Sequence, residues 1–184
     1  MVEKLFKKKE IFIMNISIVF YSMSENTAFV ANKVKEELLA NNNSNGDINV
    51  DVIRIEPVKA FPSEGAKKFI WGGKSAVMGD KPELKPYTFE TSKYDRIIIG
   101  TPVWAGTMAP PVRTFIEENK DALSGKQIGI YVCSAGDKGM KAVEKIRKVL
   151  GVDKLRFAMA LIDPKDKPTE ANAKEIEGFC KNMV

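Results

Sequence analysis

The sequence predicts a three-layer, doubly wound α/β sandwich built around a five-stranded parallel sheet. Short apolar runs recur along the chain, and each is followed by a segment of helical period that returns it to the same sheet edge. Connections of that kind enforce parallel pairing. The runs are continuously apolar rather than strictly alternating, as strands covered on both faces are. A length of 184 residues suits one domain with a substantial core.

Residues 1–13 read as an N-terminal extension, with residues 14–184 forming the domain. Met14 offers an alternative start, because the first regular element begins there. Residues 14–21 alternate and then become continuously apolar, giving the first strand. Residues 26–40 place Phe29, Val30, Val34, Leu38 and Leu39 near helical spacing, and 41–47 end that helix in turn chemistry. Residues 49–55 carry Val50, Val52, Ile53 and Ile55 as the second strand, which completes a βαβ unit.

From 56 to 93 the pattern loosens. Pro57 and Pro62 open the segment, a short helix covers 63–77, and Gly72-Gly73, Gly79 and Pro82 punctuate a loop ending at Pro86. So long a connection implies packing or a lid. Residues 96–100 (Arg-Ile-Ile-Ile-Gly) are a buried strand. Residues 110–119 are a helix whose prolines fall in the first turn, where a missing N–H is harmless. Strand 127–133, helix 138–150 closed by Gly151, strand 155–162 and helix 169–183 complete the chain. Thr169, Glu170 and Asn172 suit the start of the last helix, and Ile176 and Phe179 its apolar face.

Composition removes several function classes. Apolar residues make up 44% and charged residues 29%, the balance of a soluble globular domain, and no run reaches the length of a membrane span. The basic start is followed by Ile13-Met14, but Asn15, Ser17 and Ser22 break the apolar stretch and no small-residue cleavage site follows. The segment is therefore not read as a signal peptide. Residues 1–13 hold +2 of the net charge of +5, leaving too little to indicate nucleic acid. The chain has no histidine, which excludes Ser-His-Asp and Cys-His nucleophiles and most zinc or haem sites. Cys133 and Cys180 have no metal or dithiol spacing and point to a reducing, cytoplasmic compartment.

Three loops leave the carboxyl ends of strands one, three and four, the edge where open α/β sheets bind ligands. The first is Ser22-Met23-Ser24-Glu25-Asn26-Thr27, polar residues closing onto a helix N-terminus with unpaired N–H groups and a positive dipole end. The second runs from Thr101 to Pro111 and places Trp104 beside an Ala105-Gly106 pair. The third, Cys133 to Gly139, offers small residues that admit close backbone approach. Taken alone, the first loop is a helix cap, Trp104 a packing residue, Cys133 an inert small hydrophobe and Asp137 a cap. The cluster of Asp163 and Asp166 with Lys165 and Lys167 reads as a solvated turn. Trp71 either closes over a ligand edge or anchors the long segment.

The run from Ile97 to Phe115, with Gly100-Thr101-Pro102-Val103-Trp104-Ala105-Gly106-Thr107 at its centre, resembles the flavodoxin family. Residues 21–27 are similar to that family's phosphate loop, and Ser134-Ala135-Gly136 stands where its third flavin loop does. The resemblance spans residue 14 to the end of the chain. It implies a flavodoxin-like fold with bound FMN. Ser22, Ser24, Asn26 and Thr27 would hold the phosphate, with Met23 and Glu25 contributing backbone N–H groups. Thr101, Pro102, Val103, Trp104, Ala105, Gly106 and Thr107 would wrap the ring. Ser134, Ala135, Gly136 and Asp137 would meet its pyrimidine end. In the family, a peptide near the position of Gly106 turns over as the flavin is reduced. Two departures stand out: Glu25 occupies a position that is usually Gly, with no Lys or Arg in the loop to offset it, and the chain is basic where electron-carrying flavodoxins are acidic.

The resemblance implies electron transfer through flavin semiquinone and hydroquinone states, with a redox protein or small-molecule acceptor as partner. The alternative is an NAD(P)H-dependent FMN oxidoreductase acting on quinones or similar acceptors, with residues 60–90 forming part of a second pocket. No G-x-G-x-x-G fingerprint is present, which favours the carrier. A module that has lost FMN is a further alternative, motivated by Glu25. A phosphoreceiver domain needs acidic residues where Ser22-Met23-Ser24 and Thr101-Pro102 stand. Oligomeric state stays open.

Overall fold

The computed structural model describes residues 13–41, 47–62, 65–137 and 139–184, leaving aside the side chains of 65–70. The proposed extension, apart from Ile13, lies outside the described residues, as do the expected first residues of the helices beginning at 63 and 138 and most of the turn at 41–47. The strands are β1 (Ile13–Phe20), β2 (Asp47–Arg54), β3 (Arg96–Trp104), β4 (Thr107–Met108), β5 (Gln127–Ser134) and β6 (Phe157–Ile162). The helices are α1 (Asn26–Ala40), α2 (Gly65–Met78), α3 (Pro110–Glu118), α4 (Lys120–Leu123), α5 (Gly139–Leu150) and α6 (Glu170–Met183).

Five strands run parallel in the order β2-β1-β3-β5-β6. The order reverses between β1 and β3, so the crevice at their carboxyl ends is the switch point. Ile16 to Phe20 pair with Arg96 to Gly100, and Arg96 to Pro102 pair with Gln127 to Cys133. This is the five-stranded sandwich expected from the sequence, with the short helix α4 and one hairpin strand added. β3 continues four residues past Gly100 and turns back through β4, where Trp104 pairs with Thr107. Ala105 at φ 50 and Gly106 at φ 72 are the two residues of that turn. Positive φ at both central positions is the hairpin geometry that matches strand twist.

The two faces of the sheet carry separate cores. One packs Ile16, Ile18, Val34, Leu38 and Tyr131 against α1 and α6, with Phe179, Cys180 and Met183 closing it. The other packs Ile97, Ile99, Ile130 and Val132 against α3 and α5, through Val112, Phe115, Ile116 and Ile146. Ile97, Ile98 and Ile99 are fully buried, which is why the run read from sequence has no polar alternation. Leu39, expected on the buried face of α1, is exposed, and Trp71 is 63% exposed, so it is not a buried anchor.

The long 57–93 segment is chiefly a packing element. It is tied to the end of β2 by the Pro57–Leu84 bridge and by the Lys85 N–H donating to the Glu56 carbonyl at 2.8 Å. Tyr87 and Phe89 then lie against Phe115 at ring separations of 5.9 and 5.0 Å. Among the described residues, no helix is long and apolar enough to cross a membrane, and no group of three His, Cys, Asp or Glu could hold a metal ion.

Candidate functional site

A cleft of about 300 Å³ opens at the switch point, and all three sequence-marked loops reach it. Met23, Ser24 and Asn26 line one end. Pro102, Val103, Trp104 and Ala105 form one wall, with Cys133, Ser134 and Ala135 opposite; Gly73 of α2 and Asp163 after β6 complete the lining. Most of these walls are apolar. Asp163 is the only charged side chain among the described lining residues, and Lys167 Nζ donates to its carboxylate at 3.0 Å.

The first loop is shaped by its backbone. Glu25 sits at φ 62, ψ 0 at the N-cap of α1, a left-handed conformation that costs a residue with a Cβ free energy. Ser22 Oγ accepts from the Ala28 N–H at 3.3 Å, which folds the loop back over the helix start. The N–H groups ahead of it have no intrahelical acceptors, leaving an anion-attracting end beside Ser24. The Asn26 side chain is committed elsewhere: it donates to Asp166 at 2.8 Å and accepts from the Lys165 N–H at 2.9 Å. The residues after β6 are thereby docked on the loop; Lys165, Asp166 and Lys167 are exposed, as expected of a solvated turn, and the turn also braces the loop through Asn26. Thr27 is buried, and its carbonyl accepts from the Tyr131 hydroxyl at 3.0 Å.

Glu25 has a cationic partner that lies outside the loop in sequence. Arg54, the last residue of β2, forks onto its carboxylate at 2.7 and 3.1 Å and donates to the Ser22 carbonyl at 3.0 Å. Parallel pairing of β1 with β2 brings this about, since Phe20 lies opposite Arg54.

The second loop is held from below and covered from the side. Thr101 Oγ1 accepts from the Ala109 N–H and donates to the Pro102 carbonyl, both at 3.0 Å, so this residue positions the loop. Thr107 is buried in the hairpin. Trp104 meets Tyr21 and Phe61 edge-on at ring separations of 5.8 and 5.1 Å. A Cβ at Gly72 would lie 3.1 Å from the indole, and one at Gly73 3.8 Å from the Ala105 Cβ. The glycine pair therefore lets α2 close directly over the hairpin.

The third loop is drawn together by the Ser134 hydroxyl donating to the Gly136 carbonyl. Ala135, Gly136 and Asp137 are exposed, and a Cβ at Gly136 would meet nothing within 4 Å. Asp163 continues the rim, its N–H donating to the Ser134 carbonyl at 2.9 Å. Burial pushes the Cys133 thiol up to about 12, opposed in part by a hydrogen bond with Thr27. Burial also raises the Tyr21 phenol to about 12, against the pull of Arg54 and with the help of Glu56. Neither group ionises near neutral pH, and neither is a thiolate or phenolate nucleophile.

The structure thus gathers Met23, Ser24, Asn26, Pro102 to Ala105, Ser134 and Ala135 around one space. Ser22, Glu25, Thr27, Thr101 and Thr107 stand behind them as supports, and Gly106, Gly136 and Asp137 lie at loop tips. Sequence reasoning missed Arg54, Phe61 and Asp163 as parts of the site; Tyr21 entered it only within the phosphate-loop resemblance, and Gly73 only alongside Trp71 as a cover over the ligand edge. The end of β6 on the same sheet edge was the signal available for Asp163; Arg54 and Phe61 carried no motif.

Comparison with known proteins agrees with the fold. A flavoprotein in complex with FMN from Lactobacillus acidophilus NCFM is similar at TM-score 0.63 and 20% identity, over 83% of this chain and 95% of that one. Oxidised flavodoxin 1 from Bacillus cereus is similar at TM-score 0.52 and 17% identity, over 92% and 97%. Two-electron reduced Megasphaera elsdenii flavodoxin gives 0.55 and 17%, over 90% and 98%. None of the curated protein sequences compared matches this chain. The family described as NADPH-dependent FMN reductase matches residues 14–162. With its flavodoxin-like sheet and its cleft at the β1–β3 switch point, the chain belongs to that FMN-binding family.

Proposed function

We propose that this chain is an FMN-dependent oxidoreductase that accepts electrons from a reduced nicotinamide and passes them to a small acceptor. The observation that carries the reading is the meeting of three loops around one mostly apolar cleft with a helix N-terminus at its end. The residues present fit FMN. The start of α1 and the Ser24 hydroxyl suit the phosphate. The Pro102–Ala105 wall and the Cys133–Ala135 wall accept a flat ring, and open space at Gly136 admits the pyrimidine edge. The bound flavin would supply hydride and single-electron chemistry, which the side chains here do not.

The chain's own part is to bind, orient and shield. Trp104, braced by Tyr21, Phe61 and α2, fixes one wall and keeps water from it. Room at the Ala105–Gly106 turn supports a change in its backbone hydrogen bonding on flavin reduction, since a Cβ at Gly106 would meet only the Lys141 stem, at 4.0 Å. The family match supports the reductase over the carrier that the sequence favoured. The carrier stands as the second reading, supported by the likeness to flavodoxins.

The test is a titration of the purified protein with FMN, followed by anaerobic mixing with NADPH or NADH. Quenched flavin fluorescence and bleaching that saturates with the nicotinamide are expected. Binding without bleaching selects the carrier, and failure to quench removes both readings.

A further inference from the structure

Glu25 raises two physical difficulties at a phosphate site. It takes a left-handed backbone that favours glycine, and it places a carboxylate at the loop that would hold an anion. Both are met by one side chain. Arg54 forks onto the two carboxylate oxygens at 2.7 and 3.1 Å, and the same guanidinium reaches the Ser22 carbonyl at 3.0 Å. It therefore bridges the first and fourth residues of the loop. Glu56 lies 3.6 Å from Arg54 Nε and is held in turn by Lys85 at 2.8 Å, which limits the directions the guanidinium can swing. A planar fork suits this task and an ammonium does not, because three acceptors must be met from one plane.

We propose that Arg54 is a positioning residue for the phosphate end of the cleft: it neutralises Glu25 and straps Ser22 to Glu25, so that the start of α1 is a preformed anion cradle. This rests on the FMN reading above. Arg54 acts through Glu25 and Ser22; the phosphate itself is met by backbone N–H groups and Ser24. Two consequences follow. Removing Arg54 exposes the bound phosphate to an unpaired carboxylate, whereas removing the pair does not. The effect concerns the phosphate alone, so a flavin without one is indifferent to it.

The experiment measures dissociation constants for FMN and riboflavin by fluorescence quenching in wild type, R54A, R54Q, E25G and E25G/R54A. The apo proteins are melted alongside as a check on folding. R54A and R54Q are expected to weaken FMN about tenfold or more at low salt, as an unscreened like charge near a phosphate does. The loss should shrink as salt is added, because the pair is partly exposed and screening acts within about 10 Å at 0.1 M. Riboflavin affinity should stay within about threefold. E25G/R54A should return FMN affinity to within about threefold of E25G.

Unchanged FMN affinity in R54A overturns the proposal. So does equal weakening of FMN and riboflavin, or a double variant as weak as R54A; the last would mean that Arg54 touches the phosphate directly. A wild-type protein that binds no FMN removes the functional reading and this proposal together. Wild-type binding with an indifferent R54A removes the proposal alone.

Discussion

A methyl group placed at Gly100 tests how the sheet sets the site. Gly100 lies beside Tyr131 across the β3–β5 pairing, and a Cβ there would fall 2.0 Å from the ring Cζ, 2.2 Å from the hydroxyl oxygen and 2.5 Å from Cε1. Ordinary contact needs about 3.5–4 Å, so the ring must move by well over an ångström. It has nowhere to go, since Tyr131 is fully buried and its hydroxyl is spent on the Thr27 carbonyl. Overpacking of this kind costs about 1–3 kcal/mol, and the lost hydrogen bond adds about 1 kcal/mol. Gly100→Ala should therefore destabilise the protein by about 2–4 kcal/mol, a fall in Tm of about 5–15 °C for a chain of this size.

The displaced ring pulls on the first turn of α1 and the Thr101 loop together, so FMN should raise Tm less in the variant than in wild type. Thermal melts followed by circular dichroism, with and without FMN, give both quantities. Adding Tyr131→Phe should not rescue the variant, because the ring carbons still collide. Adding Tyr131→Leu should recover part of the loss. A Tm within about 2 °C of wild type for Gly100→Ala would refute the reasoning.

Trp104→Ala removes two edge-on aromatic contacts worth about 0.5–1.5 kcal/mol each and uncovers α2, so a lower Tm and a changed absorption spectrum of bound flavin are expected. An unaltered spectrum would separate Trp104 from the ring. Thr101→Val leaves the Ala109 N–H without its acceptor and should cost about 1–3 kcal/mol, measured by urea unfolding, while loosening FMN binding through the displaced loop. Stability should also fall as pH rises. Cys133 and Tyr21 have folded-state values of about 12, above their ordinary values of 9.0 and 10.0. The unfolded chain therefore releases these protons first, and the stability present below pH 9 drains away between about 9 and 12. A flat Tm across that window would contradict the burial assigned to them.

The sequence by itself determined the sheet, its parallel sense and the three loops at its carboxyl edge. Those features are written in local chemistry: apolar runs such as Ile97 to Ile99, a polar break from Ser22 to Thr27, prolines opening α3, small residues after β5. Each is read within a few residues, and alternation of strand and helix leaves few topologies open. Even the left-handed position at Glu25 was visible as a departure from glycine. Tertiary structure alone decided what answers that departure. Arg54 is 29 residues away along the chain, and no spacing rule links it to Glu25; only the register of β1 against β2 sets them side by side. The same holds for the Asn26 side chain, which lies at the cleft and also grips the residues after β6. It holds too for the glycine pair in α2, whose role exists only once the Trp104 hairpin is folded beneath it. Local patterns settle which elements form. Partners that meet across the sheet edge are settled by pairing register and close packing, which no short stretch of sequence contains.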